Sequence, residues 1–428
     1  MNRIFFLAVL VSIVLIPTAN ADVSDAEFAE LREQLAAVSA RLEELATENA
    51  ELRAEQNQTD AVISEVQTTV AEIPAVSSGW SDRIKLDGDF RYRYESIDTE
   101  GSSTRNRSRI RARTNIKAQV ADNTEVGFGL ATGGDDPVST NQTLGGGGSS
   151  KPIALNLAYV NWEASEGLNL LAGKFKNPLK KVGGSGLAWD GDWTPEGLAV
   201  TFEHDWFFMN ALGTYLEGDS KKSNDNFSWG GQLGAKATVG DVKLSGGIGY
   251  YSIPAKGQTT NYGDPTDPGD FFGNTAVEAG GAACGTTPDT TCVFLYDYKL
   301  AQAFAEASFD IGDWPALVYV DYIKNSDPSE SNTGWILGTK IGQTKNRGDM
   351  QFSYFYADKE ADSMLGMLTD SDFGGGGTDS KGHWLQFNYG VNKSWAVGAQ
   401  YFINEIDLAS GSKRDFNRLM IDMQWKWK

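Results

Sequence analysis

Histidine and cysteine are scarce in this chain of 428 residues, which contains two of each. His204 falls in a predicted turn and His383 near a predicted strand start, and neither has a serine at strand spacing beside it. A Ser/His catalytic pair is therefore not indicated. No complete metal-ligand spacing such as an EF-hand loop occurs, and no helix follows the glycine run 374–377 to cradle a phosphate. We predict a protein that is not an enzyme and needs no metal or cofactor.

Long hydrophobic runs are missing after residue 21. Residues 1–21 begin with the basic Arg3, continue through the apolar stretch 4–16 and end at Ala19-Asn20-Ala21. This pattern is typical of a secretory signal peptide. Beyond it, no run approaches the roughly 18 apolar residues that a membrane helix needs. An exported chain of this kind could span a membrane only as a β-barrel.

The two cysteines, Cys284 and Cys292, lie within one loop-like stretch. One interpretation is a pair of free thiols. Export favours the other interpretation, a local disulfide, because disulfides persist in oxidising compartments.

Glycine and proline are absent from residues 28–73, and apolar residues recur there with a heptad period. The a positions are Phe28, Leu35, Leu42, Asn49, Gln56, Ile63 and Val70, and the d positions are Leu31, Val38, Leu45, Leu52, Thr59, Val66 and Ile73. The pattern predicts an α-helical coiled coil about 70 Å long. β-Branched residues at both positions near its end favour a trimer, whereas leucine at d in the first half leaves a dimer open.

Positive charge is in deficit, with 37 Lys and Arg against 57 Asp and Glu, a net charge of −20. Much of the negative charge lies in the predicted coiled coil, where it forms a solvated helix face. An acidic balance of this kind argues against nucleic acid as a partner.

From residue 84 onward the chain alternates apolar and polar residues. In the first segment Ile84, Leu86, Gly88, Phe90, Tyr92 and Tyr94 alternate with Lys85, Asp87, Asp89, Arg91, Arg93 and Glu95. In the second, an apolar face alternates with Arg107, Arg109, Arg111 and Arg113. About sixteen such strands are predicted: 84–95, 106–120, 124–132, 153–163, 168–175, 198–203, 206–217, 227–239, 242–253, 296–311, 314–324, 333–342, 349–358, 382–391, 394–407 and 415–427.

A soluble sheet could place the arginines in water and the apolar face in a core. We expect lipid against the apolar faces instead, because the pattern recurs to the C-terminus and the chain supplies no second apolar layer. The predicted fold is an all-β transmembrane barrel of about sixteen antiparallel strands, preceded by an N-terminal α-helical coiled coil.

The predicted connections alternate between short and long along the chain. Outer-membrane barrels have short periplasmic turns and long external loops, so the coiled coil is expected in the periplasm. The predicted organisation is a signal peptide at 1–21, a periplasmic coiled coil and linker at 22–79, and an outer-membrane barrel at 80–428.

Residues 155–200 read LNLAYVNWEASEGLNLLAGKFKNPLKKVGGSGLAWDGDWTPEGLAV. This stretch resembles the Gram-negative "putative porin" family through Ala158, Tyr159, Trp162, Gly173, Lys174, Lys176, Asn177, Pro178, Trp189, Asp190, Asp192, Pro195, Glu196 and Gly197. The arginine-rich second strand also looks like that family's. The resemblance implies a homotrimeric outer-membrane channel whose third external loop, 176–197, folds into the barrel. Its surroundings would be outer-membrane lipid and lipopolysaccharide.

Strand alternation places the arginines on the inner wall of two neighbouring strands, with Lys85 and Lys117 nearer the periplasm. The predicted pore-lining and constriction residues are Arg91, Arg93, Arg107, Arg109, Arg111, Arg113, Lys180, Lys181, Asp190, Asp192 and Glu196. Loop carboxylates facing an arginine wall across the lumen would create a transverse field. Alternatively, the arginines pair with these carboxylates and with Asp87 and Asp89, and so hold the loop in place.

Three functions remain open. The first is a porin for passive diffusion of small hydrophilic solutes and ions, with anion preference. The second is a substrate-specific channel for phosphate or a similar anion. The third is a structural tether in which the coiled coil contacts peptidoglycan and the barrel is an anchor.

Overall fold

The computed structural model describes residues 25–72, 79–218 and 226–428. By internal contacts the chain divides into two units, Met1–Gly79 and Trp80–Lys428. The predicted signal peptide and most of the predicted linker lie outside the described residues.

The first unit contains one helix, α1, Asp25–Glu72. Several apolar residues of the predicted heptads are exposed on it, including Val38, Leu42, Leu45, Leu52 and Ile63. Among the described residues, no helix is both long enough and apolar enough to cross a membrane. The exposed heptad residues form an apolar stripe that a single chain leaves uncovered. The coiled coil stays a prediction.

The second unit is a closed antiparallel barrel, and each strand pairs with the next in sequence. After a short 3₁₀ turn at Trp80–Arg83, its strands are β1 Ile84–Thr99, β2 Arg105–Ala121, β3 Thr124–Thr132, β4 Ile153–Ser165, β5 Leu168–Lys174, β6 Glu196–Glu203, β7 Phe207–Glu217, β8 Asn226–Val239, β9 Val242–Ile253, β10 Tyr298–Ile311, β11 Trp314–Asn325, β12 Thr333–Gly342, β13 Met350–Lys359, β14 Ser380–Gly390, β15 Trp395–Ile406 and β16 Arg414–Trp427. β16 returns to pair with β1 through Gly88↔Trp427 to Thr99↔Phe416. The predicted sixteen-stranded barrel is confirmed.

Connections at the two ends of the barrel differ in length. Turns of two to seven residues join β2 to β3, β4 to β5, and so on at one end, whereas four connections at the other end have at least 20 residues. We number all connections at this second end in chain order, beginning with loop 1 at 100–104. Loop 2 is 133–152, loop 3 is 175–195, loop 5 is 254–297 and loop 7 is 360–379.

The outer face of the barrel is apolar, as the alternation predicts. On β3, for example, Val126, Phe128 and Leu130 are exposed, and the residues between them are Gly127 and Gly129. In water such a surface would be costly, but hydrocarbon is a suitable environment for it.

The inner face departs from the expectation of a polar lining. Across β7–β16 many inward side chains are apolar and buried, among them Phe208, Leu300, Phe304, Tyr319, Phe355, Trp384, Phe402 and Met420. The chain does supply a second apolar layer, contrary to the sequence-based expectation. Loops 3, 5 and 7 provide it from inside the barrel.

These three loops contribute buried apolar residues to the same cluster as the inner wall. Loop 3 supplies Leu179, Val182, Leu187, Trp189 and Trp193, loop 5 supplies Phe271 and Phe294, and loop 7 supplies Met364, Leu365, Met367, Leu368 and Phe373. At Gly183 of loop 3, where φ is +58°, an added Cβ would lie 2.3 Å from the Tyr319 ring on β11. The absence of a side chain at this left-handed position therefore lets loop 3 lie directly against the wall.

Loop 5 is closed on itself and fastened to loop 7. A disulfide joins Cys284 and Cys292, with 5.6 Å between their Cα atoms. The buried Asn274 amide donates to the carbonyls of Ala361 (2.7 Å) and Met364 (2.8 Å) and accepts from the Gly366 N–H (2.7 Å). Loop 7 is thus held from the external side as well as from the wall.

Candidate functional site: an arginine sector on the inner wall

Antiparallel pairing of β1 with β2 sets their inward arginines directly opposite one another. The register places Arg91 against Arg111 and Arg93 against Arg109. Like charges in such positions repel, so this pairing requires compensation from other groups. One sector of the inner wall is therefore strongly basic, and carboxylates must approach it.

Loop 3 supplies one of the compensating carboxylates. Asp192 accepts from Arg113 Nη1 at 2.7 Å and from Arg111 Nη1 at 3.4 Å. The same two guanidiniums also bind Asp89 of β1, at 2.8 Å and 2.9 Å. A four-membered network of two arginines and two carboxylates thus joins loop 3 to β1 and β2.

Loop 7 supplies a second carboxylate. Asp372 accepts from Arg93 Nη1 at 3.1 Å and from Arg418 Nη2 at 2.9 Å. Arg93 is also held by two parallel bonds to Asp422 on β16, at 2.7 Å and 2.8 Å. Such bidentate charge-assisted pairs fix both position and orientation.

Glu95 is a fully buried acceptor shared by several guanidiniums. Arg418 lies 2.5 Å from it, Arg107 also pairs with it, and Arg109 Nη1 is 3.7 Å away. One carboxylate cannot neutralise three arginines, so positive charge remains at this level of the wall.

Arg91 has no carboxylate partner among the described residues. Its Nη2 donates to Asn141 Oδ1 at 2.6 Å, and Arg109 Nη2 donates to the Asn141 carbonyl at 3.3 Å. Neutral acceptors of loop 2 therefore satisfy part of the sector without reducing its charge.

Loops 3 and 7 are joined by three hydrogen bonds around Asp190. Its N–H donates to the Leu368 carbonyl (2.8 Å), its Oδ2 accepts from Ser371 N–H (3.0 Å), and Asp370 N–H donates to the Gly186 carbonyl (3.1 Å). Asp190 therefore acts as a link between loops, and in the described part of the chain it forms no ion pair with an arginine of the wall.

The loop carboxylates, which lie outside the strands, have different environments. Burial opposes ionisation of Asp192, but Arg111 and Arg113 outweigh it and lower the pKa of Asp192. Burial is likewise outweighed at Asp372, where Arg418 and Arg93 lower the pKa. Burial raises the pKa of Asp190 well above its usual range, and the nearby Asp370 and Asp192 raise it further.

Other residues predicted for the constriction lie elsewhere. Lys180 Nζ pairs with Glu306 on β10 at 2.6 Å, and Lys181 Nζ donates to the Asp190 carbonyl at 3.2 Å. Glu196 pairs with Lys174 at 2.7 Å. It lies two residues before the exposed Leu198 and therefore on the same, outer face of the strand. Glu196 is the first residue of β6, and alternation along this strand puts its carboxylate on the outside of the barrel. The sequence-based prediction that Glu196 lines the constriction does not match this position.

Sequence reasoning missed Arg418, Asp422 and Asp372. Arg418 and Asp422 lie on the inward face of β16. They could have been predicted, because a closed barrel pairs its last strand with its first. Asp372 precedes the glycine run of loop 7, and nothing local indicates that this loop enters the barrel.

The described residues contain no group of three or more His, Cys, Asp or Glu side chains placed to hold a metal ion. The chemistry of the sector is that of guanidiniums facing carboxylates, amides and hydroxyls.

Comparison with known proteins agrees with this architecture. A family model described as "Putative porin" matches residues 98–267 and 292–427, which is more than half of the chain. No curated protein sequence gives a significant match. The chain belongs to the "Putative porin" family.

Solved structures of other proteins match at low identity, and that of an OprB shares the fold. OprB of Pseudomonas putida shares 11% identity, covering 81% of this chain and 95% of its own, with a TM-score of 0.54. A loop L8 deletion mutant of OmpT, an outer membrane protein of Vibrio cholerae, shares 16% over 81% of this chain and 100% of its own, with a TM-score of 0.48. Salmonella typhi OmpF, in a complex with daunomycin, shares 12% over 82% and 99%, with a TM-score of 0.48. Family and fold together define a porin-like channel of the outer membrane.

Proposed function

We propose that this protein is a passive, non-enzymatic porin in which small hydrophilic solutes and anions cross the outer membrane along the arginine sector. The observation that carries the proposal is the charge of that sector. Seven arginines, Arg91, Arg93, Arg107, Arg109, Arg111, Arg113 and Arg418, face five carboxylates, Asp89, Glu95, Asp192, Asp372 and Asp422. The surplus is positive and favours anions.

The path that solutes would take through the barrel follows from the distribution of polar groups on its inner wall. The inner wall of β7–β15 carries the apolar cluster, and polar wall residues such as Gln232, Gln302 and Asp321 are buried there. Charged residues instead continue along β1 and β2 to the turn end, where Lys117 pairs with Asp87 at 3.2 Å. Polar solutes would therefore travel along these two strands and β16.

We also propose that three copies assemble, with the coiled coil in the periplasm. The exposed apolar stripe of α1 supports this assembly, because parallel partners would bury it. The short turns of the barrel would face the periplasm and the long loops the exterior.

The test is the zero-current potential of the purified protein in a planar bilayer under a KCl gradient. Wild type should be anion-selective and should insert in steps of three. Arg91→Gln/Arg111→Gln removes two inward charges and should shift the potential toward cation selectivity. Arg347→Gln, which removes an exposed charge in the turn 343–349, is the matched control. A cation-selective wild type would reject the anion preference.

A further inference from the structure

A concave pocket of about 450 Å³ lies at the loop end of the arginine sector. Arg105, Arg107, Arg109 and Arg418 line one side, and the residues of the β1–β2 connection form its rim. Arg418, which pairs with Asp372, belongs both to the lining of the pocket and to the sector. A solute moving along the sector therefore passes this pocket.

Several guanidinium N–H groups on the basic side of the pocket have no acceptor among the described residues. Within the described part of the chain, Arg105 forms no ion pair, and neither Nη atom of Arg107 has a hydrogen-bond partner. Arg107, Arg109 and Arg418 all depend on the single carboxylate of Glu95, although Arg418 also reaches Asp372. Among the described residues that line the pocket, Asp136 is the only acidic one, and burial raises its pKa.

Other lining residues of the pocket have a different chemistry. Phe272 of loop 5, Phe416 of β16 and Val138 of loop 2 contribute apolar surface. Between them lies the loop 7 backbone at Gly375–Gly377, where all three glycines have positive φ. An added Cβ at Gly375 would lie 3.3 Å from the Phe416 ring. The absence of a side chain therefore lets the loop 7 backbone lie close to this ring.

We propose that this pocket is a binding site for a small organic carboxylate with a compact apolar body. Its carboxylate would bind the free guanidinium N–H groups, and its body would lie against the two phenylalanines. The volume exceeds what an inorganic anion fills, and such an anion has no apolar surface to bury. The inference rests on the proposed function, since it names the class of anion that the channel selects.

The test uses 4-fluorobenzoate and the purified full-length protein in detergent, with ¹⁹F line broadening as the readout. Unlabelled benzoate should displace the probe, whereas its neutral analogue benzyl alcohol should not. Arg105→Gln/Arg107→Gln should weaken binding about tenfold or more, because charge-assisted hydrogen bonds are lost. Arg105→Gln alone, at an exposed position without an ion pair, should weaken it less and keeps the test valid if the double variant fails to fold.

Arg414→Gln is the matched control, because it removes an arginine charge at the same end of the barrel, on the wall strand β16, from a position that does not line the pocket. Equal displacement by benzyl alcohol, or unchanged binding in both pocket variants, would overturn the proposal. Displacement by inorganic phosphate as effective as that by benzoate would overturn the assignment to organic carboxylates.

Bilayer measurements on the same preparations separate this inference from the proposed function. Binding by a protein that is cation-selective or does not conduct would refute the proposed function and leave the site. Anion-selective conductance without carboxylate binding would refute the site and leave the function.

Discussion

Arg93 on β1 and Asp372 in loop 7 are joined by a partly buried hydrogen bond of 3.1 Å between residues 279 positions apart in the chain. Arg93 itself is held at Asp422 of the neighbouring strand β16 by two further bonds. The wall arginine is thus fixed independently of loop 7. Asp372 fastens loop 7 to the wall together with the Gly374 N–H, which donates to Asn404 Oδ1 at 3.0 Å, and the packing of Phe373. Removal of Asp372 should loosen the loop without disturbing β1.

Asp372→Asn should loosen loop 7 and increase conductance. The variant keeps the shape of the side chain but loses the charge that binds Arg93 and Arg418, which keep Asp422 and Glu95 as partners. Charge-assisted bonds contribute about 1.5–3 kcal/mol, so exchange of loop 7 amides should accelerate about tenfold or more. Hydrogen exchange and single-channel conductance measure the two effects. With Glu330→Gln, an exposed carboxylate of the connection 326–332, neither should change.

Asp192→Asn should have the corresponding effect on loop 3. Arg111 and Arg113 would retain Asp89, so the wall should stay folded while loop 3 loses its ion pairs with β2. One negative charge also disappears from the sector, and anion selectivity should therefore rise. A zero-current potential under a KCl gradient that does not move in the anion direction would contradict this account of the network.

Asn274→Ala should destabilise loop 7 from the other side. The substitution leaves the carbonyls of Ala361 and Met364 and the N–H of Gly366 without their amide partner in a buried place. Each unsatisfied group costs about 1–3 kcal/mol. Hydrogen exchange should show faster opening of loops 5 and 7, whereas Asn261→Ala, at an exposed position in loop 5, should resemble wild type.

Leu52→Asp should weaken the assembly if α1 is a coiled coil. Leu52 is an exposed apolar residue at a predicted d position, and a charge there could not be buried between helices. The temperature at which the oligomer dissociates in dodecyl sulfate should fall, whereas Ala54→Asp at the outward f position should leave it unchanged. Equal dissociation temperatures for the two variants would mean that α1 does not hold the assembly together.

The strands and the arginine rows were predictable because alternation is a local property that the sequence displays directly. The inward path of loop 7 depends on contacts with distant residues, and the polar, glycine-rich stretch around Asp372 gives no local sign of it. One signal was available: Met364, Leu365, Met367 and Leu368 are too apolar for a loop in water. The inner wall of β7–β15 carried a similar signal, because many of its inward positions are large and apolar, although Gln302, Glu306 and Asp321 also lie there.

The link between loops 3 and 7 should depend on pH through Asp190. Because the pKa of Asp190 is raised in the folded state, its contribution to stability is fully present below the pKa of the unfolded chain. The contribution is lost as the pH rises through the folded-state pKa, since ionisation then places a charge beside Asp370 and Asp192.

A tenfold change in the acid dissociation constant on folding corresponds to about 1.4 kcal/mol of stability. After correction for intrinsic exchange, protection of the amides of Asp192 and Ser371 should therefore decrease as the pH rises above the usual pKa range of an aspartate. Asp190→Asn cannot ionise but can still accept a hydrogen bond through its side-chain oxygen, so this decrease should disappear. A variant that retains the same pH dependence would show that another group controls the link.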